Sequence, residues 1–474
     1  MDVNRHSKDL FTQYAKKLGY DDEKIETYEE ILNSVESILE KHSVRSKALE
    51  WDKQFTKLVD GKVVLPKGFE EVLYELIREN QLINLFAPEK LGGSSYTHIM
   101  VGPLTELIAS YDFSLQMMSL MGLIIMDPLL RYYKDDFKPI LQKICEGKTT
   151  CFLALTEPQA GSNLENIKTT SELQGDEYVI NGEKIFITNG GYADSGLVFA
   201  QNIVNGKKEG TNVLLIDGLD GITPVRLEEK LGIHASPTAQ LLFENVTVPK
   251  EFVVSEVGNG YKKVLEGLRG MRTGVSFQAV AATKRAYQLA VDYANTREQF
   301  KKLIISYPDI QRKLHMMEEQ IPRIEDYAYM GSYALDRDFR GWMPNDIGAG
   351  GKNIAEKTAS KMVPGPIKDG IAHYYASACK LYTSEITNYL LYDAQQIFGG
   401  SGYMTELEIN KIARDVRILP IYDGTSEIHN WILGKAEKAT GFIPRFKRNY
   451  EKYDHETGYE KMLFTRFPDL NKLI

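Results

Sequence analysis

Apolar residues recur with a helical period near the start of the chain. Between residues 28 and 39 they fall on one face of a helix, and residues 69–84 repeat the pattern. The apolar positions of the first segment are Ile31, Leu32, Val35, Ile38 and Leu39. Two more apolar segments of the same kind reach about residue 133. The pattern predicts an N-terminal helical domain over residues 1–150.

The pattern of apolar and polar positions changes near residue 151, where short apolar runs alternate with turn residues. Residues 151–155, 198–200, 213–216 and 241–243 are typical of short strands. Residues 178–191 predict a hairpin with Asn181 and Gly182 at its turn. An antiparallel barrel or sandwich of about 100 residues is expected over residues 151–253.

The helical period returns near residue 258, with Asn259 as a predicted cap. Further helical segments cover residues 310–335, 383–397 and 427–438, so that residues 254–440 predict a second helical domain. Residues 338–368 are rich in glycine, proline and charge and predict an irregular excursion. Residues 441–474 form a polar, aromatic tail that could lie across a neighbour. The predicted fold class is α+β.

Composition excludes some kinds of partner. The chain has 474 residues with a net charge of −8, which disfavours nucleic acid as a main partner. Its three cysteines form no motif and are expected to be buried apolar residues. The apolar run at 115–130 is short and interrupted by polar residues, so no membrane span is predicted. Because the N-terminal residues do not resemble a secretory signal, a cytoplasmic protein is expected.

Several catalytic motifs are absent from the sequence. No GxGxxG unit, Walker loop, HExxH, CxxC or GxSxG elbow occurs. Nicotinamide-dinucleotide binding, nucleotide hydrolysis and serine-hydrolase chemistry are therefore disfavoured, and no metal site is predicted.

One loop carries the strongest candidate for chemistry. Residues 414–428 join a glycine-rich turn at 399–403 to a late apolar helix. Asp423 lies there between the apolar wall of Tyr422 and the small Gly424. A partly desolvated carboxylate is a better base than one in water, so Asp423 is predicted to be a catalytic base rather than a structural residue.

Four blocks of the chain resemble motifs of the acyl-CoA dehydrogenase family. Residues 155–162 resemble its TEPxAGSD loop, residues 184–190 resemble its KxWITN strand, and residues 297–300 resemble its RxQFG motif. Residues 396–400 with 414–425 resemble a fourth block, which contains the IYEGT motif. Residues 230–238 also fit, and the resemblance covers roughly residues 70–440. It implies a helical domain, a β-domain and a four-helix-bundle domain, with residues 1–65 as an extension.

The resemblance implies FAD as cofactor. A flavin needs an apolar bed, donors for its pyrimidine edge and cover for its pyrophosphate. The implied contacts are Leu155, Thr156, Ser162, Phe186, Thr188, Arg297, Phe300, Gln396, Gly399, Gly400, Thr425 and Glu427. Taken alone, the threonines could be strand-surface residues, Ser162 a turn serine, Phe186 a core residue and Arg297 a solvated charge.

Two of these positions differ from the family pattern. Phe186 stands where the family usually has tryptophan, and Lys301 replaces the usual glycine after Phe300. In the family, the contacts from Arg297 to Gly400 reach the flavin of a neighbouring subunit. The resemblance therefore implies a homo-oligomer, either a tetramer or a dimer.

The implied reaction begins with the α proton of an acyl-CoA thioester. Asp423 would remove this proton while donors stabilise the enolate oxygen, and hydride would leave the β carbon for FAD. The donors implied by the family are the backbone N–H of Asp423 and a ribityl hydroxyl. The implied substrate contacts are Ser162, Arg272, Gln116, Tyr422 and Gly424. Taken alone, Arg272 could be a charge on a helix surface.

An aspartate is unusual at position 423, where the family base is normally glutamate. Aspartate is shorter by one C–C bond, about 1.5 Å. A base displaced that far loses rate unless the substrate approaches it, so a bulkier branched or alicyclic acyl group is expected. The family's other location for the base corresponds to Met271, which cannot serve.

Rival functions remain on the same scaffold. The leading hypothesis is a dehydrogenase that passes electrons to an electron-transfer flavoprotein. The alternatives are a flavoprotein oxidase, a non-oxidative elimination on an acyl-CoA, and a flavin- or CoA-binding subunit without catalysis.

Overall fold

A computed structural model describes residues 3–260, 269–340, 371–440, 458–467 and 470. Helices come first, a sheet follows, and helices return, so the predicted α+β architecture is confirmed. The largest apolar core joins the two helical parts, and a second core fills one side of the sheet.

The N-terminal part is built of helices and one small hairpin. Its elements are α1 (Val3–Lys17), α2 (Asp22–Lys41), α3 (Val44–Gln54), β1 (Lys57–Val59), β2 (Lys62–Val64), α4 (Phe69–Glu79), α5 (His98–Tyr111), α6 (Phe113–Arg131) and α7 (Lys138–Cys145). The predicted helix over 69–84 is too long, because Gln81 adopts a left-handed φ of 46°. A separate 3-10 turn follows at Asn84–Phe86.

Helix α6 has the length and apolar composition of a membrane span. It is the one such helix among the described residues, and 78% of its apolar window is buried inside the fold. Asp112 caps it by accepting a hydrogen bond of 2.7 Å from the backbone N–H of Leu115. The helix is therefore packed as a core element.

A seven-stranded sheet forms the middle of the chain. Its strands are β3 (Cys151–Ala154), β4 (Thr170–Gln174), β5 (Glu177–Thr188), β6 (Ser195–Val204), β7 (Lys207–Asp217), β8 (Ile222–Leu227) and β9 (Thr238–Pro249). The order is β3-β6-β4-β5-β9-β8, and β7 pairs with β6. The sheet is mixed rather than wholly antiparallel, because β3 and β4 both run parallel to β6.

The predicted turn at Asn181 and Gly182 is wrong. Both residues lie inside β5, where the register against β9 shifts between Ile180 and Gly182 as in a β-bulge. Gly182 is required there because a Cβ atom would lie 2.5 Å from Thr169 Oγ1. The tight Asn-Gly hairpin occurs instead at residues 205–206, where both φ angles are positive, as in a type I′ turn.

Long helices dominate the C-terminal part. They are α8 (Arg269–Thr296), α9 (Pro308–Arg340), α10 (Ile371–Phe398), α11 (Glu408–Asp415), α12 (Ser426–Thr440) and α13 (Gly458–Arg466), with a hairpin of β10 (Glu298–Gln299) and β11 (Lys302–Leu303) after α8. Buried alanines along α8 let it pack closely on α5, α9 and α10. Part of the helix predicted from Asn259, and most of the predicted excursion, lie outside the described residues.

The described part of the C-terminal tail packs on its own chain. Glu460 of α13 accepts hydrogen bonds from Arg323 and from the hydroxyl of Tyr382. The hydroxyl of Tyr459 donates to Asp393. These buried contacts pack α13 against α9 and α10 of the same chain, whereas residues 441–457 lie outside the described residues.

Candidate active site

The loop between α11 and α12 presents Asp423 on a strained backbone. Asp423 has a φ of 53° and Gly424 a φ of 98°. Aspartate is one of the few non-glycine residues that adopt left-handed backbone at modest cost. The loop closes where the N–H of Ser426 donates to the carbonyl of Pro420 at 3.0 Å. Asp423 is half-buried at this point.

Two buried side chains hold consecutive carbonyls of this loop. Lys380 Nζ, on α10, donates to the carbonyl of Gly424 at 2.7 Å. His429 Nε2, on α12, lies 3.2 Å from the carbonyl of Asp423. Since a carbonyl only accepts, His429 carries its proton on Nε2. The backbone around the Asp423 carboxyl is thus fixed from two helices.

Arg272 is part of the same site and is not a surface charge. The residue is half-buried, and its Nη1 donates to His373 Nδ1 at 2.8 Å and to Ser377 Oγ at 3.1 Å. Because a guanidinium only donates, His373 Nδ1 must be unprotonated. Burial, reinforced by the nearby arginines, lowers the pKa of His373 to about 3, so this histidine is neutral.

Burial and charge act against each other at Asp423. Burial raises the pKa of the Asp423 carboxyl, while the cations Lys380 and Arg272 oppose the rise. Burial lowers the pKa of Lys380 to about 7 and that of Arg272 to about 10, and the Asp423 charge opposes both shifts. The site therefore holds one carboxyl whose ionisation depends on two partly desolvated cations.

A ladder of polar side chains crosses the core beside the loop. The hydroxyl of Tyr422 donates to Gln278 Oε1, and Gln278 Nε2 donates to Gln116 Oε1 at 2.5 Å. Gln278 Nε2 also lies 3.2 Å from Met117 Sδ. The ladder joins the loop to α8 and α6. It brings together Tyr422 and Gln116, two of the predicted substrate contacts.

The predicted flavin contacts of the sheet lie where the loop after β3 meets the C-terminal half of β5, a place called the sheet edge below. The N–H of Ile185 donates to the carbonyl of Thr156 at 2.9 Å, which places the loop after β3 beside the end of β5. Leu155, Thr156 and Thr188 are half-buried. Phe186 lies at a register shift with a φ of 59° and is 59% exposed. A barrel-core role for Phe186 is therefore wrong.

A buried ion pair supports this edge. Lys184 Nζ lies 2.8 Å from Glu157 Oε1 and donates to the carbonyl of Leu155 at 3.0 Å. Glu157 also accepts from the backbone N–H of Thr169 at 3.0 Å. The pair fixes the 155–157 loop against β5.

The second group of predicted flavin contacts lies at one end of the helical bundle. Tyr293 and Phe398 stack with ring centroids 4.2 Å apart, which joins the C-terminal ends of α8 and α10. Five exposed residues surround this junction: Arg297, Phe300, Gln396, Gly399 and Gly400. Phe300 is 89% exposed, and it forms with Lys301 a turn in which both φ angles are positive.

Three predicted contacts have local partners or open surroundings. Ser162 is exposed in the loop after β3. Thr425 Oγ1 accepts from the N–H of Ile428 at 3.4 Å, at the start of α12. Glu427 is exposed and lies 3.4 Å from Arg466 Nη2.

Several residues that shape the site belong to no motif in the sequence. Lys380, His373 and Ser377 lie on α10, Gln278 on α8 and His429 on α12. A signal existed for Lys380, since it is a charge between the apolar Cys379 and Leu381 in a helical segment. Their convergence could not be predicted, because it depends on how three helices pack around a loop.

A network of buried charges ties the loop to the rest of the chain. Asp52, on α3, accepts from Arg414 Nη2 at 2.5 Å and lies 2.8 Å from His234 Nδ1. Asp415 accepts from the N–H of Ile233 at 2.6 Å and from Lys411 Nζ at 2.6 Å. The N-terminal helices, the sheet and the C-terminal helices therefore meet directly before the Asp423 loop.

Family comparisons agree with this architecture. The model described as the acyl-CoA dehydrogenase middle domain matches residues 152–246. The model described as the acyl-CoA dehydrogenase C-terminal domain matches residues 258–359 and 346–437.

Two curated relatives match most of their own lengths. The acryloyl-CoA reductase (NADH) of Anaerotignum propionicum is 30% identical over 76% of this chain and 85% of that protein. The short-chain specific acyl-CoA dehydrogenase of Megasphaera elsdenii is 32% identical over 73% of this chain and 82% of that protein.

A solved structure with a bound cofactor also matches. The acyl-CoA dehydrogenase complexed with FAD from Bacillus anthracis superimposes with a TM-score of 0.74 at 26% identity. The match covers 94% of this chain and 73% of that chain.

Replacing Asp52 tests the charge network. Burial raises the pKa of Asp52, but hydrogen bonds from His234 and Arg414 together with the charge of Lys411 lower it below its usual range. Breaking a buried pair costs about 3–5 kcal/mol, so Asp52→Asn should lower the free energy of unfolding by about 3 kcal/mol at pH 7. Chemical denaturation measures this change.

The pH dependence of that loss has a defined sign. The pKa of Asp52 is lower in the folded protein than in the unfolded chain, where it is about 4. Asp52 therefore stabilises the fold fully at pH values above about 4, and this stabilisation is lost as the pH falls through the folded pKa. The difference between wild type and Asp52→Asn should therefore shrink below about pH 4. The control Asp22→Asn removes the exposed pair with Lys16 and should cost about 0–1 kcal/mol. Equal losses in the two variants would contradict the network.

Proposed function

This chain belongs to the acyl-CoA dehydrogenase family, and from that premise we propose that Asp423 is the base that removes the α proton of an acyl-CoA substrate. The protein is an oxidoreductase that acts on CH–CH groups, and FAD is its cofactor. The observation that carries the proposal is the half-buried Asp423 carboxyl, held on a left-handed loop beside Lys380 and Arg272.

The residues at the sheet edge fit FAD. The exposed ring of Phe186 offers an apolar face, Thr188 follows two residues later in β5, and the Thr156 carbonyl accepts from the N–H of Ile185, so hydroxyls for the polar edge of a flavin belong to the same part of the sheet. A Cβ atom on Gly161 would meet nothing within 4 Å, so the loop around Ser162 has room for a phosphate. When bound, FAD accepts the hydride that leaves the β carbon of the substrate.

Burial makes the Asp423 carboxyl more basic than a carboxyl in water, and two cations oppose that effect. A base must be ionised to take a proton, and the positive charges of Lys380 and Arg272 favour the ionised form against the effect of burial. The proton passes from the α carbon to the Asp423 carboxylate. The closely held loop limits the directions in which this short side chain can point.

The same residue has a free backbone donor. Among the described residues, no acceptor pairs with the N–H of Asp423. A thioester carbonyl placed against this N–H would receive a hydrogen bond as its oxygen gains negative charge. Arg272 would lie near the thioester end of the substrate, with its guanidinium oriented by His373 and Ser377.

The acyl group would lie beside the polar ladder. Tyr422 and Gln116 line this side with a hydroxyl and an amide whose positions are set by Gln278. The short Asp423 side chain favours a branched or alicyclic acyl group, whose α carbon is brought closer to the base.

The second group of contacts supports an oligomer. Arg297, Phe300, Gln396, Gly399 and Gly400 are exposed together at one end of the bundle. We propose that they cover the FAD of a neighbouring subunit, in a dimer or tetramer. An electron-transfer flavoprotein is the proposed electron acceptor and the cytoplasm the proposed location.

A second candidate is the same chemistry in the reducing direction. One relative is named an acryloyl-CoA reductase (NADH), and another, at 28% identity, is named a 3-(aryl)acrylate reductase. In that direction Asp423 would give its proton to the α carbon of a 2-enoyl thioester, while the β carbon receives hydride.

Replacement of the base is the first test. Asp423→Asn keeps the size of the side chain and removes the base, so turnover should fall by about 10²–10⁴-fold. The flavin absorbance of the purified variant should equal that of wild type. Turnover retained by a variant with full flavin content would remove Asp423 from the mechanism.

Lengthening the base tests the substrate class. Asp423→Glu moves the carboxylate about 1.5 Å further from the backbone. We expect the ratio of kcat/KM for straight-chain acyl-CoA to that for branched or alicyclic acyl-CoA to rise by at least about tenfold. The longer side chain leaves a narrower space between its carboxylate and the substrate, and a straight acyl chain fits this space. A panel of linear, branched, cyclic and aromatic esters measures this ratio, and an unchanged ratio would contradict the expected acyl class.

Anaerobic spectroscopy separates direction and rival chemistry. A dehydrogenase should bleach its flavin absorbance with a saturated acyl-CoA, whereas a reductase should recover colour after chemical reduction when a 2-enoyl-CoA is added. The ratio of the two rate constants identifies the favoured direction. Hydrogen peroxide release in air would indicate an oxidase. Formation of product without flavin bleaching would indicate an elimination, and the absence of any response to the esters would indicate a non-catalytic subunit.

A further inference from the structure

We propose that Lys380 is a positioning residue for Asp423, which it holds through the carbonyl of Gly424 and supplies with a counter-charge. The proposal rests on the proposed function, since it treats Asp423 as the base. It concerns a residue on α10, 44 positions before the Gly424 whose carbonyl it holds.

The surroundings of Lys380 make its charge unusual. The side chain is fully buried in an apolar stretch of α10, with the equally buried Cys379 and Leu381 as neighbours in the chain. Its ammonium donates to the Gly424 carbonyl at 2.7 Å. Burying an ammonium is costly unless an anion and hydrogen bonds compensate. A lysine that only held a carbonyl would bear the free-energy cost of burying an ammonium although a neutral donor could make the same hydrogen bond.

Asp423 is the acidic residue that most favours the charged form of Lys380, although the described residues show no direct ion pair between the two side chains. Among the groups that act on Lys380, the Asp423 carboxylate makes the largest favourable contribution to its charged form, while Glu385 and Glu427 contribute less. The effect is reciprocal, because Lys380 is the largest cationic contribution to the ionised form of Asp423. The two groups therefore titrate as a pair.

Other charged groups around the pair do not replace Lys380. Arg272 also favours the ionised form of Asp423, but its effect is smaller than that of Lys380, and its Nη1 is bound to His373 and Ser377 rather than to the loop. Arg269 lies near Arg272 and His373, and Glu427 pairs with Arg466. Burial lowers the pKa of His429 well below its usual value, so this neighbour is neutral.

The hydrogen bond adds a geometric role to the charge. Gly424 follows Asp423 directly, and its φ of 98° turns the chain toward α12. A Cβ atom on Gly424 would lie 3.1 Å from His429 Nε2, so the loop has little freedom on that side. With Lys380 on the Gly424 carbonyl and His429 on the Asp423 carbonyl, both peptide units beyond the base are held.

The consequence is a change in the pH at which the base becomes active. Loss of the Lys380 charge leaves the Asp423 carboxyl with burial and only one nearby cation, so its pKa must rise. The acidic limb of kcat/KM, which reports ionisation of the free enzyme's base, should then move to higher pH. A lysine with a merely structural role would lower activity or stability at every pH and leave this limb in place.

Three substitutions separate charge from hydrogen bonding. Lys380→Met removes both, Lys380→Gln keeps a donor without charge, and Lys380→Arg keeps the charge. We expect the acidic limb to shift upward by about one pH unit or more in Lys380→Met and Lys380→Gln, and to stay within a few tenths of a unit in Lys380→Arg. The pH-independent rate should fall most in Lys380→Met, which no longer holds the Gly424 carbonyl.

A matched control is available on the neighbouring helix. Lys284, on α8, is also buried, and its ammonium lies 2.7 Å from Glu106 and 2.5 Å from Glu325 rather than near the loop. Lys284→Met should destabilise the protein without moving the acidic limb. Should Lys380→Met fail to fold, Lys380→Gln carries the same test. A limb that stays in place in Lys380→Gln would overturn the proposal.

A substrate-free measurement keeps this proposal distinct from the proposed function. The protonated Asp423 carboxyl gives an infrared C=O band that is absent from Asp423→Asn, and its titration needs no turnover. The band should persist to higher pH in Lys380→Gln than in wild type, and coincident titrations would refute the role of Lys380. Full activity of Asp423→Asn would instead refute Asp423 as the base and leave this titration unaffected.

Discussion

The site depends on a single electrostatic constraint, the burial of the Asp423 carboxyl between cations that are themselves poorly solvated. Burial alone would keep a carboxyl protonated and useless as a base. Lys380 and Arg272 counteract that effect, and each is fixed by hydrogen bonds to Gly424, His373 or Ser377. The result is a carboxyl whose pKa is raised by burial and restrained by two cations, on a backbone whose next two peptide units are held by hydrogen bonds. Such tuning is what proton abstraction from a thioester near neutral pH requires.

The fold serves this constraint through long-range packing. Helices α8 and α10 carry the cations, α12 carries His429, and the 3-10 turn Val416–Ile418 leads the chain into the loop. The network of Asp52, Arg414 and Asp415 ties the same segment to the N-terminal helices and the sheet. The predicted flavin contacts of the sheet edge and the proposed base thus belong to parts of the chain that buried hydrogen bonds connect, although they are far apart in sequence.

Hydrophobic periodicity and the order of the motifs predict the fold class, and a local motif indicates Asp423 as the candidate base. Both signals depend only on residues that are neighbours in the chain. Local patterns failed where tertiary packing decides. The Asn181-Gly182 pair predicts a turn, but it forms a bulge because β9 continues to pair with β5 on both sides of it. Lys380, Gln278 and His429 were not singled out, because their roles appear only when three helices converge on one loop. Conversely, the three cysteines are free and buried, as their isolated spacing indicated.

The position of the reacting carbon relative to Asp423 decides whether this residue is the base. A crystal structure of the protein with FAD and a non-reactive acyl-CoA analogue would show this directly. We predict an Asp423 carboxylate oxygen within about 3.5 Å of the acyl α carbon, with the thioester carbonyl accepting a hydrogen bond from the Asp423 N–H. An α carbon that faces another acid or base, with the Asp423 carboxylate directed away from the acyl group, would contradict the central claim.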